Sequence, residues 1–334
     1  MLMTKIFLGI DGGQSHTEAV VADQFGHILG RGVSGPANHA EQPGGRERLK
    51  KAVLESVTGA LSEAGLSPVE QVVFKAAHCA MSGGADYKEE IIRSLIRAEN
   101  LFVGHDAPAA LAAGTAGKPG IVVIAGTGSV AYGENEHGVS ARAGGWGHLF
   151  GDAGSGFWIA LQAIKAALHQ RDLAYPQQLS APTETENSLE SLALAHFGQK
   201  DLRALTLAVY SETISRDELA GFANIVHQAA LAGNPTAQAI LQEGCQSLFN
   251  LAFYVGRKLN FRSTPIVCLG GVWQGSLSNS TFANLVTSLW PEAKLRPAIF
   301  RPAIGPILLA YKQGQINLND TVLGNLLNWE MATR

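Results

Sequence analysis

Apolar residues along this chain come in short runs that end in glycine. Ile6-Phe7-Leu8-Gly9-Ile10 leads into Asp11-Gly12-Gly13-Gln14-Ser15-His16-Thr17, the pattern of a buried strand breaking into a tight turn. Strands are predicted to follow over Thr17–Asp23 and His27–Val33. From Gly45 to Gly65, Leu49, Ala52, Val53, Ser56, Val57, Ala60, Leu61 and Ala64 recur at spacings of three and four, which predicts an amphipathic helix. Gln71–Met81 reads as a buried strand, Asp86–Ala98 as a helix, Asn100–Gly104 as a short strand running up to Asp106, and Ala107–Ala113 as a helix. Gly114–Gly120 is rich in turn residues.

At Ile121 the pattern restarts. Ile121-Val122-Val123-Ile124-Ala125 enters the turn Gly126-Thr127-Gly128-Ser129, and a strand resumes over Val130–Tyr132. A helix over Gly156–Gln170, a long helical region to about Leu259 and the strand Pro265-Ile266-Val267-Cys268-Leu269 come next. A helix (Asn279–Leu289), a strand (Lys294–Phe300) and a helix (Ile304–Lys312) follow. Three antiparallel strands, then helix, strand, helix, strand, helix, occur twice: a duplicated α/β unit of βββαβαβα order. The first lobe is set at 1–117, with the C-terminal helical stretch, about 304–334, as a candidate to complete it. The second is set at 118–303, with a helical insertion over about 157–260. Within that insertion Pro176–Asn187 is polar and turn-rich, the pattern of a surface loop.

Composition narrows the function classes. A chain of 334 residues exceeds what one core usually supports, in keeping with two lobes. An apolar content of 46% with 16% charged residues describes a well-packed chain. A net charge of −3 without a Lys/Arg-rich run gives no field for nucleic acid. No apolar stretch approaches the roughly 20 residues that span a bilayer, and the N-terminus lacks the layout of a signal peptide. Cys79, Cys245 and Cys268 are odd in number and lack metal-ligand spacing, so they read as reduced thiols of a cytoplasmic protein without a membrane partner.

The glycine turns carry the candidate chemistry. Gly12 and Gly13 allow backbone N–H groups to crowd around an anion, Ser15 and Thr17 add hydroxyls, and Asp11 can hold a cation or its waters; an ordinary hairpin turn has the same signature. The turns at Gly126-Thr127-Gly128 and Gly270-Gly271-Val272 repeat the device. Gly126 to Ala131 matches a dinucleotide fingerprint literally, but that fingerprint must open a helix and this one opens a strand. Gly117-Lys118 is followed by Pro119, so there is no P-loop. Asp106, between a strand and a helix with Pro108 in its first turn, is either an N-cap or a general base at a strand's C-terminal end. Gly144 to Gly156 holds six glycines in thirteen residues, a loop built for close backbone approach. Trp146 there offers a flat face to a sugar ring, and Asp152 a carboxylate for hydroxyls or a helix cap. Asn38 can hydrogen-bond a polyol; His78 reads as a core residue and His148 as an orienter of the glycine loop.

Together these pieces resemble the sugar-kinase branch of the actin, heat-shock-chaperone and hexokinase superfamily. Within it they are similar to N-acetylglucosamine kinase-like members and to BadF/BadG/BcrA/BcrD-type ATPases. The resemblance runs in order over nearly the whole chain. Asp11-Gly12-Gly13 is similar to the first phosphate motif, Gly126-Thr127-Gly128-Ser129 to the second, and Gly270-Gly271-Val272 to the adenosine motif. Gly144-Gly145-Trp146-Gly147, followed by Gly151-Asp152-Ala153-Gly154-Ser155, resembles the amino-sugar loop and is the most specific match. The resemblance implies two ribonuclease-H-like lobes with the active site in the cleft between them, ATP and Mg²⁺ as cofactors, and a homodimer. It implies Asp106 as catalytic base, Asp11 holding Mg²⁺ through water, and Asn38, Asp106, Ser129, Gly145, Trp146 and Asp152 as contacts of a small amino sugar. Two positions depart from the pattern: Gln14 stands where a third glycine is usual, and Val130 where an Asn lies near the sugar. The expected activity is ATP-dependent phosphorylation of N-acetylglucosamine or a related amino sugar at O6. The alternative is a nucleotide-dependent switch, either an activase or a sugar-sensing regulator; the three cysteines do not reproduce an activase's iron–sulfur ligands.

Overall fold

The computed structural model of the chain describes residues 4–37, 40, 43–66, 68–83, 87–173 and 187–333. Its elements begin with β1 (Ile6–Gly12), β2 (Thr17–Asp23), β3 (Ile28–Ser34), α1 (Gly45–Glu63), β4 (Phe74–Met81), α2 (Glu89–Leu95), β5 (Ala98–His105) and α3 (Asp106–Thr115). There follow β6 (Gly120–Ala125), β7 (Ser129–Glu134) and β8 (Ser140–Gly144), then α4 (Gly156–Leu173), α5 (Leu189–Phe197), α6 (Leu202–Tyr210), α7 (Arg216–Gly221), α8 (Ala223–Leu231) and α9 (Pro235–Lys258). The chain ends with β9 (Pro265–Leu269), α10 (Ser276–Leu289), β10 (Lys294–Arg296), α11 (Ile304–Gln313) and α12 (Asp320–Ala332). Two compact units result, Met1–Gly120 with Pro297–Arg334, and Ile121–Arg296.

The first unit is built on a five-stranded sheet of order β3-β2-β1-β4-β5. β1 and β2, and β2 and β3, run antiparallel, whereas β1, β4 and β5 run parallel. Strand periodicity sorts the side chains between two cores. Leu8, Ile10, Ala19, Val21, Ala77, Cys79 and Met81 point to one face and pack with Leu49, Val53 and Val57 of α1 and Ile92 of α2. Phe7, Val20, Ala22 and Ala76 point to the other, where Ile304, Ile307, Leu308 and Tyr311 of α11 and Leu326 of α12 cover them. Phe7 and Tyr311 meet edge to face at 4.9 Å, and Tyr311 Oη donates to the carbonyl of Asp23 at 2.6 Å. The last helix of the second repeat thus packs on the first sheet.

The second unit repeats the sheet in the order β10-β9-β6-β7-β8. β6, β9 and β10 run parallel, β7 and β8 antiparallel. Ile121, Val123, Ala125 and Ile266 pack with Leu248, Phe249 and Val255 of α9 and Phe282 and Val286 of α10. Helices α4 to α9 form the insertion, and most of its apolar residues, among them Ile159, Leu205, Phe222, Val226 and Leu241, make a core of their own. The duplicated α/β fold expected from the pattern is present in both sheets.

Several boundaries differ from expectation. The helix expected over Asp86–Ala98 is confined to Glu89–Leu95, because Arg97 already offers its carbonyl to Phe74 N–H and opens the ladder of β5. The strand expected to reach Phe300 stops at Arg296, since Pro297 has no N–H for the ladder. Ile299 and Phe300 instead donate to the carbonyls of Gly114 and Ala113 at the end of α3, which brings 297–303 into the first unit. The stretch over about 304–334 is two helices, and Asn319 caps the second through its side chain. The loop expected over Pro176–Asn187 lies, apart from Asn187, outside the described residues.

Candidate functional site

In the first sheet three parallel strands end side by side. Gly12 of β1 pairs with Met81 of β4, and Met81 with His105 of β5. Their successors Gly13, Ser82 and Asp106 therefore gather at the carboxyl edge, where open α/β sheets bind ligands. Ser82 N–H donates to the Gly12 carbonyl at 2.9 Å, which fastens β4 to the first glycine turn. Gly13 N–H closes that turn on the His16 carbonyl at 2.9 Å, so Gln14, Ser15 and His16 carry its remaining amides. Ser15 is exposed, whereas Thr17 is buried and its hydroxyl has no hydrogen-bond partner among the described residues.

Asp106 is the first residue of α3, and no side chain caps that helix; His105 holds the N-cap position. The capping alternative therefore falls. The Asp106 carboxylate instead accepts a hydrogen bond from Ser82 Oγ at 2.7 Å. Asp11 lies opposite Glu18 and Ala80 in the sheet register. Burial first, then the negative charges of Asp106 and Glu18, push its carboxyl up to about 7. Such a group favours a neighbouring cation, and hard carboxylate oxygens suit Mg²⁺. Among the described residues no three His, Cys, Asp or Glu gather into a cage.

The second unit joins its two glycine segments through Ser129 and Asp152. Ser129 N–H donates to Asp152 Oδ1 at 3.1 Å, and Ser129 Oγ to the Ala153 carbonyl at 3.0 Å. Gly145 N–H donates to the Ser129 carbonyl at 2.9 Å. Ser129 is 3% exposed, so this residue, expected to contact sugar, is a buried joint between turn and loop rather than a free hydroxyl. A Cβ on Gly128 would lie 3.0 Å from the Asp152 carboxylate, so the turn packs directly on that side chain. Asp152 adopts a left-handed φ of 59°, a conformation that costs a non-glycine residue about 1–3 kcal/mol and is retained mostly at functional sites. Its Oδ2 accepts from Arg216 Nη2 at 2.8 Å. The cap of α4 comes from Ser155, whose Oγ accepts from Trp158 N–H, and not from Asp152. Trp146 stands 75% exposed on the loop, with the Arg142 guanidinium 5.9 Å from its ring centre. His148 rests edge-on against Phe157, and desolvation followed by the Arg216 charge lowers its pKa.

The candidate nucleotide turns of this unit also adjoin. Thr127 Oγ1 donates to Asp217 Oδ1 at 2.8 Å, one residue beyond Arg216 on α7. Gly270 has φ 112°, and a Cβ there would stand 2.4 Å from the Ala125 carbonyl oxygen. Only glycine lets the 3₁₀ turn Gly271–Gln274 pack so close to the Gly126 turn. Trp273 Nε1 pins it, donating to the Val123 carbonyl at 3.1 Å.

The structure thus gathers Asp11, Gly12, Gly13, Thr17 and Asp106 in the first unit. In the second it gathers Gly126 to Ser129, Gly145, Trp146, Asp152, Gly270 and Gly271. Asn38 lies outside the described residues. Sequence reasoning missed Ser82, Arg216 and Asp217. Met81-Ser82-Gly83-Gly84 carries the same strand-into-hydroxyl-and-glycine signal as the other turns and was open to the same reading. Arg216 and Asp217 sit in an ordinary polar stretch of the insertion and give no such signal.

The chain is similar to known proteins over nearly its whole length. Over 315 residues the chain is 31% identical to the N-acetylmuramic acid/N-acetylglucosamine kinase of Clostridium acetobutylicum, covering 92% of this chain and 98% of that one. Over 321 residues it is 28% identical to the N-acetyl-D-glucosamine kinase of Dictyostelium discoideum, again covering 92% and 98%. Its fold is similar to that of a candidate N-acetylglucosamine kinase from Chromobacterium violaceum, with a TM-score of 0.72 at 23% identity over 92% of this chain and 99% of that one. Residues 8–310 match the BadF/BadG/BcrA/BcrD ATPase family, and the chain belongs to that family.

Proposed function

We propose that this chain is an ATP-dependent amino-sugar kinase that phosphorylates N-acetylglucosamine or a related amino sugar at O6. The observation that carries the reading is the loop from Gly144 to Ser155. Its exposed Trp146 offers a flat face for a hydroxyl-rich ring, and the buried Asp152, tied to Ser129 and Arg216, holds the loop that presents it, which a nucleotide switch does not need. The two kinases named above, matched over 92% of this chain, support the same substrate class.

In the reaction, Asp106 takes the proton of the sugar hydroxyl as its oxygen bonds to the γ-phosphorus. The bond from that phosphorus to the β–γ bridging oxygen breaks, and ADP leaves. Asp106 is the base, the Gly12–Gly13 turn and the Thr17 hydroxyl are phosphate contacts, and the turns at Gly126–Gly128 and Gly270–Gly271 are nucleotide contacts. Backbone amides oriented before the reaction stabilise charge on the transferring group, which is where most phosphoryl-transfer catalysis lies. Mg²⁺, held near Asp11 with waters and phosphates, supplies further charge neutralisation when bound. Gly145, Trp146 and Asp152 orient the sugar. The reading extends to a cytoplasmic homodimer: the family resemblance supports the dimer, and three unpaired cysteines fit a reducing compartment. Among the described residues no helix is long and apolar enough to cross a membrane.

The test is ADP release from Mg²⁺ and ATP against a panel of sugars headed by N-acetylglucosamine, for wild type and Asp106→Asn. Strong stimulation by one amino sugar, lost by roughly 10² or more in Asp106→Asn with both ligands still bound, is the expected result. A flat panel with intact ATP binding would favour the switch.

A further inference from the structure

The kinase reading names a base but not what aims it. We propose that Ser82 is the positioning residue for Asp106, its hydroxyl setting the carboxylate at the angle from which it takes the acceptor proton. The inference rests on that reading and adds a residue to it.

Helix α3 does little to hold the Asp106 side chain. Asp106 is its first residue, and no side chain caps the helix. Among the described residues, Ser82 Oγ is the hydrogen-bond donor found on that carboxylate, at 2.7 Å to Oδ2. Ser82 is itself fixed at both ends of its backbone. Its N–H is bound to the Gly12 carbonyl at 2.9 Å, and its own carbonyl accepts the ammonium of Lys88, a residue 5% exposed. A hydroxyl on so constrained a backbone is a fixed pointer. It ties the plane of the Asp106 carboxylate to the first glycine turn, the segment that also places the phosphates in the proposed reaction. With Oδ2 engaged, Oδ1 is left to take the proton. A neutral donor suits this task, because it orients the carboxylate without neutralising the charge that makes it a base. Small errors in the placement of reacting groups cost large factors in rate, so the loss of such a pointer is expected to act on turnover.

The experiment compares sugar-dependent ADP release by wild type, Ser82→Ala, Ser82→Thr, Asp106→Asn and the Ser82→Ala/Asp106→Asn double variant, with melting temperatures for each. Ser82→Ala is expected to lower kcat about tenfold while KM for ATP and sugar and the melting temperature stay at wild-type values. Ser82→Thr, which keeps the hydroxyl, restores most of kcat. In the Asp106→Asn background the Ser82→Ala change adds nothing, because groups that act as one unit are not additive. Should the alanine variant fold poorly, Ser82→Cys, a weak donor of similar size, shows the same loss of kcat. An undiminished kcat, a loss carried by KM or melting temperature, or an equal loss in both backgrounds overturns the role of Ser82. A wild-type chain without sugar-dependent turnover overturns the kinase reading instead, and an Asp106→Asn variant with normal turnover overturns Asp106 as the base and Ser82 with it.

Discussion

Arg216 and Asp152, sixty-four residues apart in sequence, form an ion pair at 2.8 Å that anchors the helical insertion to the glycine-rich loop. The Asp152 side chain is 4% exposed and that of Arg216 28%. Breaking a fully buried pair from one side costs about 3–5 kcal/mol, and the partial exposure of Arg216 reduces that to about 2 kcal/mol. Arg216→Met is therefore expected to lower the melting temperature and weaken sugar binding by freeing the loop. Adding Asp152→Asn to it should recover much of the melting temperature but not the sugar affinity. A double variant no more stable than Arg216→Met would show that the two residues are not coupled. Asp152→Ala alone is expected to weaken sugar binding far more than nucleotide binding, and calorimetry showing equal losses would make its role structural.

Thr17 offers a prediction with opposite signs for the free and the loaded protein. Its hydroxyl is buried without a partner among the described residues, a state that costs about 1–3 kcal/mol. Thr17→Val keeps the shape and suits a strand, so the ligand-free protein should melt higher. The same change should weaken ATP binding roughly tenfold or more if the hydroxyl donates to a phosphate. Melting curves with and without nucleotide read both effects. A variant destabilised in the absence of ligand would mean that Thr17 already has a partner.

Asp11 makes stability depend on pH. In the folded chain burial and two neighbouring carboxylates raise its carboxyl from 3.8 to about 7. The folded state therefore holds a proton that the unfolded chain releases near pH 4, and the stabilisation present below that point is lost as pH rises through about 7. Asp11→Asn, neutral throughout, should melt above wild type at pH 8 and level with it at pH 4 when no metal is present. Mg²⁺ with ATP should raise the wild-type melting temperature at pH 8 and do little for the variant. A pH-independent offset between the two proteins would rule out this account.

Gly270→Ala places a methyl 2.4 Å from a carbonyl oxygen at a φ of 112°, where an L-residue is strained regardless of space. The expected cost is at least about 2 kcal/mol, with a marked loss of ATP affinity as the turn lifts from Gly126. Gly271, with open space around its Cα, should accept alanine with little loss of stability. Equal melting of the two variants would contradict the close approach at Gly270.

The strands that end in glycine turns could be read from the sequence because both of their signals are local. Apolar runs such as Ile6–Ile10 and Ile121–Ala125 mark central strands, and the glycines that follow mark where backbone must approach something closely. Strand β5 was harder to place. It is an edge strand whose Glu99 and Asn100 are exposed, with Glu99 paired across to Lys75, so its start looked like the end of a polar helix. The site was legible where one segment supplies it and illegible where two meet. Asp106 stands out as an acid between strand and helix, yet the hydroxyl that holds it comes from another strand end. Asp152 stands out within its glycines, but nothing near Arg216 announces its partner. The capping readings of Asp106 and Asp152 failed because neighbours decide what a carboxylate binds: Ser82 takes the first, and Ser129 and Arg216 the second.

The way α11 and α12 close the first sheet bears on the order in which the protein assembles during synthesis. Residues 297–333 cover the face carrying Phe7, Val20, Ala22 and Ala76, so the N-terminal sheet waits, half dressed, while more than half of the chain is still being made. The central unit, continuous in sequence, can fold meanwhile. For that interval the nascent chain shows a greasy sheet face to the cell, a surface on which chaperones act and aggregates nucleate. Slow translation beyond Arg296 is therefore expected to lower yield, and a chain stopped at that residue leaves the face without the cover of α11 and α12.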